Sequence, residues 1–457
     1  MHPSDTGSSN FNRREFIKGS SFATLMTLLG GVEIVNESAR AVDVDKLIAY
    51  QVKCGVIGLG PWGREILTAL SRQKEAEIVS VCDKYAPLLK RGAGLAPKAE
   101  AVEDYKKLLE NKDVRAVFIA TPTHQHKAIV LDALQAGKHV YCEAPIASTV
   151  EDARAIAQAA KAAKKVVFQA GMQMRSDPQR HFLLTFIRSG AIGKTIKGRA
   201  QWHRKQSWRF TSPNAEREKE INWRVRQATS PGLAGELGVH QLDFASWYLN
   251  ALPTSVTGFG GVMHWDDGRD VADTVQAVFE YPGGVKFSYE CTLANSFDSD
   301  YEMLFGTEAA VMLRGTKAWL FKEADAQMLG WEIYARKEVF YKETGIALVA
   351  GATQSSKREG DKDAPAEEPP YASGVLTNAI ESFLYNANEV GTAVEDFEAA
   401  FNPNDVAARA KVLAALKLQP YAGYKDAYEA TVVALKANEA IVRGQKLKFE
   451  KDWFDLG

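Results

Sequence analysis

Short apolar runs alternate with amphipathic stretches from Gln51 onward. The runs VKCGVIGLG, EIVSVCD, RAVFIATP and KHVYCEAP have the composition of buried strands, and the segments between them have helical spacing. A short strand near Ala99, a helix over 150–163 and the strand KVVFQAG complete the pattern. Because such alternation is typical of parallel strands joined by helical crossovers, it predicts a doubly wound parallel sheet over residues 51–175.

The periodicity changes beyond Pro178. A predicted helix up to Gly190 precedes turn-bounded runs rich in aromatic and β-branched residues, namely TIKGRAQWHR, SVTGFGGVMHW, DTVQAVFEYPGG, VKFSYECTLA and YEMLFGTEAAVML. These runs predict an α+β domain over residues 176–457, built on a large, open, mostly antiparallel sheet. The charged stretch 353–374 predicts a mobile surface loop. Helical patterns from Val375 to about Arg443 predict helices that pack back on the first domain.

The first 41 residues have the pattern of a twin-arginine export signal. Arg13 and Arg14 lie in NRREFIK, a modestly apolar run follows, and Ala39 and Ala41 give a small-x-small cleavage pattern. The apolar run is shorter than the ~20 residues of a membrane span. We therefore expect recognition by the twin-arginine export machinery, a periplasmic or otherwise exported location without a stable membrane span, and a short arm over residues 42–50.

Composition and charge limit the classes of partner. The chain has 457 residues, a net charge of −1 and 25% charged residues of mixed sign, so no basic footprint for nucleic acid is present. Its four cysteines, Cys54, Cys82, Cys142 and Cys291, lie in apolar runs without metal-knuckle spacing. We expect buried thiols, no metal site and a small-molecule partner.

A glycine loop predicts a dinucleotide site. GLGPWG carries Gly58, Gly60 and Gly63 in the G-x-G-x-x-G spacing, with Trp62 inside the loop, after an apolar strand and before a helix. Asp83 ends the second strand, where a carboxylate binds a ribose hydroxyl and favours NAD; Lys84 beside it leaves NADP open. Because cofactors bind at the carboxyl ends of parallel strands, further cofactor-site residues are expected at Thr121, Pro122, His126 and Glu143.

These motifs resemble the glucose-fructose oxidoreductase/inositol dehydrogenase (Gfo/Idh/MocA) family. The matching stretches are GLGPWG, Asp83, ATPTHQH with its His126, YCEAP and GELGVHQLD. The resemblance implies a Rossmann domain joined to an α+β domain, homo-oligomers formed through the open sheet, and sugar or cyclitol substrates oxidised or reduced by a nicotinamide.

Two positions depart from the family pattern. Ala144 stands where the family has its catalytic lysine, and Glu236 where it has an aspartate, whereas His240 and Asp243 match. Removing a proton from a carbinol needs a base within hydrogen-bond reach, and an alanine provides neither a base nor a positive charge. We therefore expect His240, with Glu236 and Asp243, to perform the acid-base chemistry, although a buried structural histidine and a surface glutamate are the alternatives.

Polar and aromatic side chains near the second domain predict a sugar-binding surface. Indole rings pack on the C–H faces of sugars, and polar groups bond the hydroxyls. A sheet core of aromatic residues is the alternative for about half of them. The expected substrate-binding residues are Gln173, Arg175, Trp202, His203, Trp208 and Trp223.

Three functions are compatible with these residues. The first is an exported NAD(P)-dependent oxidoreductase that acts on a sugar or glycoside with a tightly held cofactor. The second is an NAD-dependent glycoside hydrolase that uses transient oxidation and elimination, and the missing lysine at Ala144 favours it. The third is a protein that binds cofactor and sugar without catalysis.

Overall fold

The structure is a computed structural model that describes residues 51–315, 317–328, 332, 335, 337–340, 343–348 and 374–457. The predicted export signal and arm lie outside the described residues. The same is true of the predicted loop over 353–374, apart from Gly374.

The first domain contains a parallel sheet in which the described strands follow the order β3-β2-β1-β4-β5-β6. The order reverses between β1 and β4, which creates the crevice where such sheets bind ligands. This confirms the doubly wound sheet predicted from the alternating pattern. The strands are β1 Val52–Ile57, β2 Ala76–Cys82, β3 Glu100–Val102, β4 Ala116–Ile119, β5 His139–Cys142 and β6 Phe168–Ala170.

Helices cover this sheet and begin at residues suited to the position. Asp104 and Thr149 cap their helices by accepting hydrogen bonds from backbone N–H groups of the first turn, and Pro61 begins the helix after the glycine loop. The helices are α1 Pro61–Leu70, α2 Ala86–Leu95, α3 Tyr105–Glu110, α4 His126–Gln135 and α5 Val150–Ala162.

The second domain contains a ten-stranded sheet, counted within the described residues, with the order β14-β15-β13-β12-β11-β7-β10-β9-β8-β16. Only β7 and β10 pair in parallel among these strands, which confirms a mostly antiparallel sheet. The strands are β7 Thr195–His203, β8 Ser255–Gly261, β9 Thr274–Glu280, β10 Lys286–Thr292, β11 Asp300–Gly306, β12 Ala309–Arg314, β13 Lys317–Lys322, β14 Lys337–Phe340, β15 Glu343–Leu348 and β16 Leu447–Lys448.

One predicted strand divides in two. The run YEMLFGTEAAVML forms β11 and β12, which pair antiparallel across a turn at Thr307 and Glu308. Its continuous apolar character concealed the turn, because both strands bury most of their residues.

Helices of the second half pack on both sheets. Phe383 of α10 lies 5.0 Å from Phe118 of β4, ring centroid to ring centroid, in the core of the first domain. The helices are α6 Pro178–Arg188, α7 Ala215–Ile221, α8 Gly232–Glu236, α9 Gly238–Leu249, α10 Val375–Ala400, α11 Val406–Ala414 and α12 Tyr424–Arg443.

The structure also bears on the membrane and on the cysteines. In the part of the chain that is described, none of the helices has both the length and the apolarity for a membrane span. The four cysteines are buried and unpaired with one another, as expected. Among the described residues, no group of three or more acidic, histidine or cysteine side chains could hold a metal ion.

Candidate active site

The glycine loop has the shape that a pyrophosphate requires. Gly58 has φ of 91°, and a Cβ there would lie 2.7 Å from the Ala120 carbonyl carbon. A Cβ on Gly63 would collide with the Gly58 carbonyl oxygen, so that glycine allows α1 to turn tightly out of β1. A Cβ on Gly60 would instead point into open space. Bare backbone therefore faces open space at the N-terminus of α1, where the unpaired N–H groups of the first turn attract anions.

Asp83 is fixed beside this loop. One carboxylate oxygen accepts a hydrogen bond from the Leu59 N–H (2.9 Å) and the other from the Tyr85 N–H (2.8 Å). The side chain remains partly exposed at the end of β2. Each carboxylate oxygen keeps a free lone pair, so Asp83 can still accept from a ribose hydroxyl. The glycine loop and Asp83 thus fit a dinucleotide.

The ends of β4 and β5 form the next part of the site. The Thr121 hydroxyl oxygen is buried and has no hydrogen-bond partner in the described structure. Buried polar groups are rarely left unpaired, so this hydroxyl is suited to bind a polar group of a ligand. Pro122 leads from Thr121 into the turn Thr123–Gln125.

His126 has a different position from the one expected. Its ring is buried, with Nδ1 3.2 Å from the Pro145 carbonyl oxygen and Nε2 2.9 Å from the Thr121 carbonyl oxygen. Burial lowers the pKa of His126 to about 4. Both ring nitrogens face main-chain carbonyl oxygens, and the neutral ring donates to one of them, so His126 packs between the loops after β4 and β5.

Glu143 is a buried carboxylate at the end of β5. The Trp62 and Gln173 side chains hydrogen-bond to it, the latter with Nε2 3.3 Å from each carboxylate oxygen. Gly171 leaves room for it, because a Cβ there would collide with the carboxylate. Burial raises the pKa of Glu143 to about 7 despite these hydrogen bonds. A strongly shifted group in a crevice is typical of a functional site.

A second buried carboxylate joins the two domains. Glu236, at the end of α8, accepts a hydrogen bond at Oε1 from the Thr123 hydroxyl (2.8 Å) and one at Oε2 from Nε of Arg224 (3.0 Å). Its side chain is only 4% exposed. Burial raises the pKa of Glu236, and the Arg224 guanidinium opposes that rise. We call Thr123, Arg224 and Glu236 the bridging cluster.

Aromatic rings surround the bridging cluster. The Arg224 guanidinium lies 4.4 Å from the centroid of the Trp223 ring and 5.8 Å from that of Trp208. His124 packs edge-on against Trp223, and its buried Nδ1 has no hydrogen-bond partner in the described structure. Trp208 has φ of 64°, a conformation that is strained for a bulky side chain and occurs most often at functional sites.

His240 and Asp243 lie on α9 in different environments. His240 is partly exposed and hydrogen-bonds to none of the described residues, and burial lowers its pKa to about 4. Asp243 is buried and binds Arg175 with both oxygens, at 2.9 and 2.8 Å. Arg175 also binds Asp426 of α12, at 3.1 Å. Asp243 therefore fixes Arg175, and its position is that of a structural partner.

The structure separates some of the expected substrate-binding residues from this cluster. The Gln173 side chain is buried and hydrogen-bonds to Glu143, and Trp202 packs on the core of the second domain. His203 contacts the Phe297 carbonyl oxygen (3.0 Å) and lies 3.8 Å from Glu290. Trp208 and Trp223 lie beside the bridging cluster.

The predicted site residues do not include Thr123, although it follows Thr121 and Pro122 in ATPTHQH. Arg224, in INWRVR, belongs to the polar and aromatic stretch that predicts a sugar-binding surface, but its pairing with Glu236 was not predicted. The separation of Thr123 and Glu236 by 113 positions gives no local signal that they meet. Only the packing of the two domains brings them together.

Comparison with known proteins agrees with this geometry. The model of the oxidoreductase family with an NAD-binding Rossmann fold matches residues 52–171, and that of the GFO/IDH/MocA C-terminal domain matches residues 183–320. The chain belongs to the Gfo/Idh/MocA family of oxidoreductases. The predictions of an NAD-binding fold and of a nicotinamide-dependent oxidoreductase are thereby confirmed.

Relatives of this Gfo/Idh/MocA protein are identical to it at about a quarter of the aligned positions. The scyllo-inositol 2-dehydrogenase (NAD(+)) of Bacillus subtilis is 28% identical over 274 residues, which cover 58% of this chain and 74% of the relative. The 2,7-anhydro-N-acetylneuraminate hydratase of Escherichia coli is 27% identical over 269 residues, which cover 57% of this chain and 67% of the relative. A structure of levoglucosan dehydrogenase in complex with NADH and levoglucosan has the same fold, with a TM-score of 0.63 and 18% identity over 87% of this chain and 99% of the other.

The raised pKa of Glu143 predicts a pH-dependent effect of Glu143→Gln. In the folded protein this carboxyl holds its proton up to about pH 7, whereas in the unfolded chain it loses the proton near pH 4.5. Burying the charge thus lowers the stability of the wild type as pH rises through this interval, by on the order of 2–3 kcal/mol. Glu143→Gln should raise the melting temperature of the cofactor-free protein at pH 8 and change it little at pH 4.5. The same shift at both pH values would contradict the assigned ionisation.

Proposed function

We propose that this Gfo/Idh/MocA protein is an exported enzyme that oxidises a carbinol of a sugar or cyclitol with a tightly held NAD. The observation that carries the proposal is the bridging cluster. It fixes Arg224 and two indole rings beside the strand ends where a dinucleotide on the glycine loop would present its reactive ring. Relatives named as an inositol dehydrogenase and a levoglucosan dehydrogenase support a sugar or cyclitol substrate.

The residues of the chain divide the chemistry among them. NAD, when bound, supplies a nicotinamide ring that accepts a hydride from the carbinol carbon. His240 is neutral at pH 7, and its partly exposed ring hydrogen-bonds to none of the described residues, so we assign it the role of accepting the hydroxyl proton. Asp83 and the backbone around Gly60 would hold the ribose and the pyrophosphate. Trp208 and Trp223 would pack on the sugar ring and exclude water from it.

Export would require the enzyme to retain its cofactor. Arg13 and Arg14 and the apolar run after them support export through the twin-arginine pathway. Helix α7, which belongs to the second domain, contacts the first domain next to Asp83. Its Glu220 pairs with Lys84 (2.8 Å), and its Arg217 lies 4.1 Å from the centroid of the Tyr85 ring. We propose that α7 closes over the adenosine end of NAD, and that the pairing of Lys84 disfavours a 2′-phosphate.

The open sheet supports association between copies of the chain. Phe259 of β8 is 65% exposed, and Val278 of β9 is exposed on the neighbouring strand. Both residues line a groove with β7 and β10. An apolar surface of this kind suits a homo-oligomer built sheet to sheet.

Elimination after transient oxidation is the second candidate. Ala144 favours it, because a site without the lysine loses a proton-transfer group used for net oxidation. One relative is named as a hydratase, and the addition of water to a substrate involves no net oxidation, which also favours this candidate.

Turnover of a sugar panel tests the proposal. The exported protein should contain NAD after purification, and sugars or cyclitols should change its absorbance at the wavelength of reduced nicotinamide. His240→Gln should slow this reduction by about a hundredfold or more without loss of NAD, since a positioned base contributes ~10²–10⁴-fold. His264→Gln, which changes an exposed histidine, is the matched control.

Aglycone release from aryl glycosides, with deuterium incorporated from deuterated water, would favour elimination. Sugar binding with no reduction at all would favour a binding protein.

The contacts of α7 predict how slowly NAD leaves. A surface ion pair contributes ~0.2–1 kcal/mol and a cation–π contact ~0.5–1 kcal/mol. The double variant Arg217→Ala/Glu220→Ala should therefore release NAD about tenfold faster, measured by displacement with a fluorescent dinucleotide in stopped flow. Glu216→Ala, on the exposed side of the same helix, should leave the rate unchanged. Equal release rates in the double variant and the wild type would show that α7 does not retain the cofactor.

A further inference from the structure

Because position 144 is an alanine and not a lysine, this position supplies no positive charge to the reacting oxygen. As the carbinol loses its proton and its hydride, negative charge develops on that oxygen, and a nearby cation or donor stabilises it. Ala144 is partly buried, and its methyl group packs on the core. Two arginines lie close enough to the predicted site residues to be considered, Arg175 and Arg224.

Each of the three guanidinium nitrogens of Arg175 already binds a carboxylate. Its Nε and Nη2 bind the two oxygens of Asp243, and its Nη1 binds Asp426. The guanidinium also lies 4.7 Å from the centroid of the Trp247 ring, and its side chain is only 15% exposed. Two carboxylates thus balance one cation, so Arg175 has no nitrogen free of a carboxylate and no surplus of charge.

Arg224 has donors to spare. Only its Nε is engaged, by Glu236, and within the described part of the chain neither Nη group makes a hydrogen bond. Its side chain is 42% exposed, and its guanidinium lies against the Trp223 ring. The Thr123 hydroxyl holds the other oxygen of Glu236, so the carboxylate that orients Arg224 is itself fixed to the first domain. The guanidinium is therefore held in place through Nε, and both Nη groups are without hydrogen bonds to the described residues.

We propose that Arg224 is a catalytic residue whose Nη groups bind the reacting carbinol oxygen and supply the charge that Ala144 lacks. This role rests on the proposed sugar oxidation. In that reaction the carbinol C–H bond breaks and its electron pair leaves as hydride to the oxidised nicotinamide. The O–H proton passes to His240, and a C=O bond forms.

With an arginine in place of a lysine, charge stabilisation and proton transfer are performed by different residues. A lysine can release its proton, but an arginine stays protonated throughout the accessible pH range. Arg224 therefore stabilises charge only, and proton transfer falls to His240. Glu236 offsets part of the positive charge of Arg224, which makes the directed Nη hydrogen bonds the larger part of its contribution.

Substitution of Arg224 tests this role. Loss of one oxyanion donor typically costs ~10²–10³-fold in kcat. Arg224→Met should lower the kcat for NAD reduction by about a hundredfold while KM and NAD affinity stay close to those of the wild type, and its melting temperature should fall because the buried Glu236 loses its cation. Methylguanidinium added to Arg224→Met should restore at least about tenfold. Arg226→Met is the control, because Arg226 is exposed and its side chain bonds only the Gly268 carbonyl oxygen in the described structure.

A second variant distinguishes a loss of catalysis from a loss of folding. Arg224→Met leaves Glu236 buried without its cation, so Arg224→Met/Glu236→Gln keeps the cluster neutral and should show the same loss of kcat and the same rescue. A kcat within threefold of the wild type in either variant, or a loss that methylguanidinium does not reverse, would overturn the role of Arg224. If none of the sugars or cyclitols tested leads the wild type to reduce NAD, the proposed oxidation is wrong. The role of Arg224 is then wrong as well.

Discussion

Glu236 links the two halves of this protein at the point where their chemistry would meet. A carboxylate that is 4% exposed is costly to bury unless its oxygens are bonded, and here each oxygen has its own partner. Thr123 comes from the loop after β4 of the Rossmann sheet, and Arg224 comes from the segment that precedes α8. Satisfying this one buried group therefore fixes the second domain against the strand ends that face a bound nicotinamide.

The other charged groups of the site are arranged around that constraint. Burial keeps Glu143 partly protonated near neutral pH and His240 neutral, because their pKa values lie at about 7 and about 4. Arg175 is balanced by Asp243 and Asp426. Arg224 is then the cation with unused donors at the cluster, within the part of the chain that the structure describes. The replacement of a lysine by Ala144 thus removes one charge from a site whose remaining polar groups are held in fixed positions.

The sequence predicted the parts of the fold that repeat locally. Alternation of apolar runs and helical spacing predicted the parallel sheet, and GLGPWG with Asp83 predicted the dinucleotide loop, because both depend on neighbours in the chain. The hairpin of β11 and β12 was hidden by two consecutive buried strands. The partners of Glu236 and Asp243 could not be predicted either, since Thr123 and Arg175 reach them only through packing of distant segments. The same packing separates His203 from Trp223, although both occur in one aromatic and basic stretch.

A crystal structure of the protein with NAD and a sugar that it oxidises would test the account most directly. The account predicts the pyrophosphate on the backbone around Gly60, and the reacting hydroxyl oxygen within hydrogen-bond distance of both His240 and an Nη group of Arg224. A sugar bound away from Trp223, or a guanidinium of Arg224 turned away from that oxygen with Glu236 still in place, would contradict it.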